Sequence, residues 1–217
     1  TWLAVFDHNV DLAGSISQRP NLMPILGLLE EKGDEIFANA DSVIVEVDMD
    51  KDIIKKVVTL AKQYNKKLYG VVSNMSIAVE RRDFLKHFDC FICNQLEAGM
   101  LFMEDYADKS PEELRDILSK RVILGKIPAM IVTMGGNGAV YADVNGEKGI
   151  CPPQRVRVKD TTGAGDAFCA GVASGLTYGK TLSEAVEIGS RLAASVITSS
   201  ENVCPRFLPE EFGITLD

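Results

Sequence analysis

Asp160-Thr161-Thr162-Gly163-Ala164-Gly165-Asp166 puts two glycines, one small residue between them and a carboxylate into a single short run. With no bulky side chain near the turn, consecutive backbone N–H groups can point at one place, and a phosphate suits that place. From Gly165 onward the residues are small and apolar at helical spacing, so these N–H groups belong to the unpaired first turn of a helix whose dipole favours negative charge. Asp166 then stands at the mouth of that helix, where an ionised carboxylate can take the proton of an alcohol held against the phosphate. A plain loop entering a helix, with Asp166 as a first-turn charge, is the competing reading.

Two further segments carry polar groups at the ends of strand-like runs. Asn94-Gln95-Leu96-Glu97 follows the apolar stretch Phe88 to Cys93, which places Asn94 and Glu97 where open α/β sheets bind ligands. The same spacing also fits a helix cap, with Asn94 as N-cap and Glu97 at N3. Thr133-Met134-Gly135-Gly136-Asn137-Gly138 follows another apolar run, and its hydroxyl and glycines allow close backbone approach to phosphate or ribose. A glycine-rich turn leading into a hairpin has the same pattern. Cys90 and Cys93, with His87 nearby, could suggest a thiol or zinc site, but the run is apolar and no second ligand pair follows, so buried strand cysteines are expected.

The elements that must position these groups alternate in type. Trp2 to Asp7 and Leu12 to Ser17 read as two short strands around Asp7-His8-Asn9. Helical spacing at Leu22 to Leu29, Asp50 to Tyr64, Val79 to His87, Gln95 to Met103 and Pro111 to Leu124 alternates with strands at 42–47, Lys67 to Val72, Phe88 to Cys93 and Ala129 to Thr133. That order predicts right-handed crossovers and a mainly parallel sheet covered by helices on both faces. Beyond Thr133, residues 138–150 turn at Asn145-Gly146 and read as an antiparallel hairpin at the sheet margin. Arg155 to Val158 reads as one more strand, and helices over Gly165 to Tyr178 and Leu182 to Thr198 close the chain.

Composition narrows the classes. With 217 residues, 46% hydrophobic and 25% charged, the chain can build one sizeable core as a single α/β domain, residues 1–217. A formal net charge of −8 with scattered Lys and Arg argues against a nucleic-acid or anionic-membrane surface. No apolar run reaches the roughly 18 residues of a membrane span, and the first residues lack a signal-peptide pattern, so a cytoplasmic location is expected. Five cysteines, Cys90, Cys93, Cys151, Cys169 and Cys204, make an odd set that is expected to stay reduced.

The three motifs in this order resemble the ribokinase-like (PfkB) family of ATP-dependent sugar and nucleoside kinases, and the likeness covers nearly the whole chain. The resemblance implies a ribokinase-like α/β fold in which residues 1–18 are the remnant of a β-lid. It implies Asp166 as catalytic base, with the amides of Gly163, Ala164 and Gly165 facing the transferred phosphoryl group. Asn94 and Glu97 would orient water around Mg2+ beside the triphosphate of ATP. Thr133, Gly135, Gly138 and Thr162 would approach the nucleotide, and Ala194 would wall the adenine, although core packing explains Ala194 equally well. Asp160 and Thr162, with carbonyls of the 199–204 loop, resemble the place where some relatives hold K+.

Within the family, Ser15 to Ser17, Met134 to Gly138, Tyr141-Ala142-Asp143 with Gly146 to Gly149, and Pro152-Pro153 look most like pseudouridine kinases. The expected substrate is therefore a small sugar or nucleoside, pseudouridine first, with ribose, fructose phosphate or uridine as alternatives. Ser73-Asn74 stands where many relatives have Asp-Pro, and Cys93 where they have proline. Nothing before Thr1 matches the family's early aspartate and sugar-gripping Gly-Gly segment, so the chain reads as lacking the N-terminal strands and should expose apolar sheet edge. A non-catalytic nucleotide-binding fragment is the alternative from another class, and a repair dehydratase of the same fold would need a different setting for Gly165-Asp166. Lid strands also make a homodimer an expected partner arrangement.

Overall fold

The computed structural model describes residues 2–6, 12–18, 20–74, 78–200, 203 and 207–215. The turn at Asp7-His8-Asn9 and Cys204 lie outside the described residues. β1 (Trp2–Phe6) and β2 (Leu12–Ser17) pair antiparallel as a separate two-stranded sheet, in which Leu3 faces Ile16 and Val5 faces Gly14. Then follow α1 (Met23–Asn39), β3 (Ser42–Glu46), α2 (Lys51–Gln63) and β4 (Lys67–Val71). A 3-10 helix over Val79–His87 takes the place of the short helix expected there and leads to β5 (Cys90–Asn94). α3 (Gln95–Phe102), α4 (Pro111–Gly125), β6 (Ala129–Thr133), β7 (Ala139–Asp143) and β8 (Lys148–Cys151) come next. α5 (Ala164–Thr177) and α6 (Leu182–Ile197) complete the larger elements.

The main sheet runs in the order β3-β4-β5-β6-β7-β8. Its first four strands are parallel, and β7 and β8 return antiparallel, as the Asn145-Gly146 turn predicts. Alternation along each strand separates two cores. Phe91, Cys93, Met130, Val132, Val140 and Ala142 join side chains of α1, α2 and α4, among them Phe37, Ile54, Leu114 and Leu118. Cys90, Ile92, Ala129, Ile131, Ala139 and Tyr141 meet Phe168, Val172 and Ala185 from α5 and α6. The sheet is thus covered on both faces, and the cysteines expected to be core residues are core residues: Cys90 and Cys93 are free and buried.

Arg155 to Val158 is not a strand. Residues 152–158 run without regular structure and are exposed, because Pro152-Pro153 removes the N–H groups that would continue the ladder beyond Cys151.

α5 and α6 approach unusually closely. A Cβ on Gly171 would lie 2.7 Å from the Gly189 Cα, and one on Gly189 would lie 2.7 Å from the Phe168 carbonyl oxygen. The small residues of these helices therefore set their separation. α5 also runs opposite to the parallel strands. Its last residue, Thr177, donates from Oγ1 to the Ala173 carbonyl at 2.6 Å and lies 2.8 Å from Ser42 Oγ at the start of β3. About 11 residues of helix cover roughly 16 Å, so its first turn reaches the carboxyl ends of the strands, each about 13–17 Å long.

Candidate active site

Three of the parallel strands end in a polar residue on the face that α5 covers. Alternation sends Val43 and Val45 to the opposite core, so Glu46 shares the α5 face with Ser42. Asn94 and Thr133 follow Ile92 and Ile131 on that same face and pair directly with each other in register. The N-terminus of α5 closes over this row. A cavity of about 270 Å³ results, lined by Glu46, Ser73, Asn94, Glu97, Thr133, Gly165, Asp166 and Cys169 together with apolar residues of β3, β4 and β5.

The turn before α5 has the geometry that its glycines permit. Gly163 is the N-cap and takes the left-handed conformation, φ 80°, which a residue with a Cβ adopts only under strain. The Ala164 N–H closes the turn onto the Thr161 carbonyl at 3.2 Å, and the Ala167 N–H reaches the Gly163 carbonyl at 2.9 Å. The Gly165 and Asp166 N–H groups between them have no hydrogen-bond acceptor among the described residues, so two donors of the first turn remain for a ligand. Asp160 Oδ1 accepts from the Thr162 N–H at 2.8 Å, which holds its carboxyl below the ordinary range.

At the start of α3 the helix-cap reading of Asn94 and Glu97 is realised. Asn94 Oδ1 accepts from the Glu97 N–H at 2.8 Å, and Glu97 Oε2 accepts from the Asn94 N–H at 2.7 Å. Both residues nevertheless line the cavity. Burial pushes the Glu97 carboxyl up, the Asn94 backbone donor opposes this, and the charge of Asp48 adds to it. On α5, burial also pushes the Cys169 thiol up to about 12, reinforced by the charges of Asp166 and then Glu97. Those two carboxylates, from different helices, therefore act on one thiol.

Magnesium is the ion that the ribokinase-like resemblance implies for this donor set. Glu46, Glu97 and Asp166 line the cavity with no Lys, Arg or His among the described lining residues, so a bound polyphosphate must bring its own counter-cation. Among the described residues no three His, Cys, Asp or Glu side chains converge as a metal cage. One Glu97 oxygen is already committed to the helix cap. The residues fit an ion that keeps its waters, which Asn94 and Glu97 would contact through water.

The cavity brings together Asn94, Glu97, Thr133, Gly165 and Asp166, drawn from three separate motifs. Gly163 and Ala164 adjoin it along the chain, while Gly135 and Gly138 form the turn between β6 and β7 outside its lining. Ala194 is half-buried on α6 and away from the lining, and the exposed Asp160 and Thr162 also lie outside it. The 199–204 loop invoked beside them is only partly described. Sequence reasoning missed Glu46 and Ser73 as members of the site. A polar residue closing the β-branched run Ser42 to Glu46 was the available signal, since such an end points to the carboxyl edge of the sheet.

The chain is 35% identical over 208 residues to the guanosine-inosine kinase of Exiguobacterium acetylicum, covering 93% of this chain and 66% of that protein. It is 35% identical to the pseudouridine kinase of Escherichia coli (strain K12) over only 69 residues, 32% of this chain and 22% of that protein. The chain thus spans less than two thirds of the length of either relative. Among solved structures, Arabidopsis thaliana ribokinase complexed with ribose and ATP superposes with a TM-score of 0.68 at 22% identity, over 79% of this chain and 54% of that one, a likeness of fold. The profile of the pfkB family carbohydrate kinases matches residues 17–204, and with these motifs in order on one ribokinase-like sheet, the chain belongs to that family.

Proposed function

We propose that this chain forms the phosphoryl-transfer half of a kinase that uses ATP to phosphorylate a hydroxymethyl group of a nucleoside or sugar. The supporting observation is the single cavity lined by Gly165, Asp166, Asn94, Glu97 and Thr133. The acceptor oxygen attacks the γ-phosphorus in line, the bond to the ADP oxygen breaks, and the hydroxyl proton passes to the Asp166 carboxylate. A strong base is unnecessary, because the hydroxyl acidifies as its bond to phosphorus forms. Positioning and charge neutralisation contribute most in a loose transition state. The free Gly165 and Asp166 amides are offered to the phosphoryl oxygens, whereas the Ala164 N–H, expected from the sequence to join them, is spent on the Thr161 carbonyl and Gly163 supplies the left-handed turn. Thr133, Gly135, Gly138 and Thr162 approach the nucleotide and Ala194 walls the adenine. Mg2+, when bound, would neutralise the triphosphate, and Asn94 and Glu97 would orient its water. Asp160 and Thr162 are the residues assigned to a monovalent cation.

A nucleoside acceptor is favoured by the 35% identity to a guanosine-inosine kinase over 208 residues. That span moves guanosine and inosine ahead of pseudouridine, whose support is a match over 69 residues. In the intact protein, further strands are proposed to cover β3, the edge of the main sheet among the described residues, where Ile44 is 49% exposed. A homodimer through β1 and β2 is proposed from Leu3, Val5 and Ile16, which are exposed together on one face of the hairpin.

The test replaces Asp166 by Asn in the full-length protein and measures turnover with guanosine, inosine, pseudouridine, uridine, ribose and fructose 6-phosphate. Turnover should fall at least about 100-fold while ATP binding survives. Retention of more than a few per cent of activity would remove Asp166 from the role of base.

A further inference from the structure

One wall of the cavity carries a carboxylate that the proposed mechanism does not use. Glu46 ends β3, Ser73 lies just past β4, Asn94 ends β5 and Thr133 ends β6, so the four stand in a row along the carboxyl edge of the sheet. Three strand spacings of about 4.8 Å separate Glu46 from Thr133 by roughly 14 Å. On the kinase reading above, Thr133 marks the nucleotide end, and Glu46 therefore marks the acceptor end.

Ser73 Oγ donates to Glu46 Oε1 at 2.7 Å. This bond orients the half-buried carboxylate and leaves its second oxygen as a hydrogen-bond acceptor at the cavity wall. No cationic side chain lines the cavity among the described residues, and none of the ion pairs between them involves Glu46. Such a group receives a hydroxyl or N–H well and an anion badly, because its charge is oriented but not neutralised.

We propose that Glu46, positioned by Ser73, selects the acceptor: it takes a hydrogen bond from a neutral polyol or nucleoside and repels acceptors bearing phosphate or carboxylate. The inference rests on the kinase reading for the direction of the row, and it adds a substrate class, the uncharged acceptors. Glu46 is then a specificity residue and Ser73 a positioning residue.

The experiment uses the full-length protein with Glu46→Gln, which keeps an oxygen for Ser73 and removes the charge, and with Ser73→Ala. The ratio of kcat/KM for inosine to that for fructose 6-phosphate should fall about tenfold in Glu46→Gln and less in Ser73→Ala, with the KM for ATP unchanged. Calorimetric binding of the same two acceptors without ATP reads the same ratio independently of transfer. Turnover of no acceptor by the wild type would sink the kinase reading, whereas the binding ratio would still judge Glu46. A ratio that Glu46→Gln leaves in place, or binding of neither acceptor, overturns the role given to Glu46.

Discussion

Asn94 and Glu97 cap each other: the Asn94 side chain accepts from the Glu97 N–H, and the Glu97 carboxylate accepts from the Asn94 N–H. One pair thus starts α3 and also lines the cavity, so folding and function must be separated by the choice of substitution. Glu97→Gln retains an acceptor for the Asn94 N–H and should not lose stability, whereas Glu97→Ala should lose about 1 kcal/mol. Both should raise the half-saturating magnesium concentration about tenfold or more. Denaturant titration beside magnesium-dependent rates checks this, and an unchanged magnesium requirement in Glu97→Gln would confine the pair to capping.

Burial also gives Glu97 a pH signature, because it raises the carboxyl above its ordinary 4.5 in the folded chain. The sign follows from linkage. A raised folded value means that the fold prefers the protonated form, so this contribution to stability is fully present below 4.5 and is lost as pH rises through the folded value. Glu97→Gln should therefore be at least as stable as the wild type at pH 7, with the gap shrinking toward pH 4. The acid limb of kcat/KM for magnesium-ATP should begin at a higher pH than an exposed glutamate would give and should shift in Glu97→Gln. Denaturation midpoints and initial rates across pH 4 to 8 measure both.

Cys169 reports on the carboxylates beside it without any need for turnover. Its thiol is pushed up to about 12 from an ordinary 9.0, first by burial and then by Asp166 and Glu97. At pH 8 the thiolate should be about a thousandfold scarcer than for an unshifted thiol, and alkylation by iodoacetamide correspondingly slow. Asp166→Asn removes one of the repelling charges and should speed that alkylation. Peptide mapping by mass spectrometry measures the rate; wild-type labelling as fast as an unshifted thiol would contradict the burial of Cys169, and an Asp166→Asn rate equal to the wild type would contradict the placement of Asp166 next to this side chain.

Much of this arrangement was legible in the chain, and its gaps have physical causes. The alternation of 3.6-residue and 2-residue periods fixed the order of strands and helices, because each parallel strand must be buried on both faces. The run Asp160 to Asp166 announced a left-handed turn and a helix start, found at Gly163 and Ala164, because Gly-Ala-Gly leaves no side chain to oppose that turn. Arg155 to Val158 misled because β-branched residues at period 2 say nothing about whether a partner strand is present, and Pro152-Pro153 had already ended the ladder. Glu46 and Ser73 escaped because their role depends on which strands become neighbours. No local pattern relates a strand end at 46 to a bend at 73; the order β3-β4-β5-β6 does.

The contact between Gly171 and Gly189 links the packing of α5 to the position of Asp166, and a pair of substitutions with opposite signs tests it. Alanine in a helix interior is favoured over glycine by about 1 kcal/mol where nothing opposes it. Gly27 in α1 has nothing within 4 Å of a built Cβ, so Gly27→Ala should stabilise the protein by up to that amount. At Gly171 the Cβ would meet the Gly189 Cα at 2.7 Å and its nitrogen at 2.9 Å, and backbone atoms cannot move aside as a side-chain end can. Separating two packed helices typically costs about 1–3 kcal/mol, so Gly171→Ala should be net destabilising, and Gly171→Val should cost the upper part of that range or more. Because α5 carries Asp166 at its first turn, Gly171→Val should also lower kcat at temperatures where the protein is still folded. Denaturation midpoints for the three variants, with kcat measured well below each midpoint, decide whether the glycine contact sets the height of the helix above the sheet.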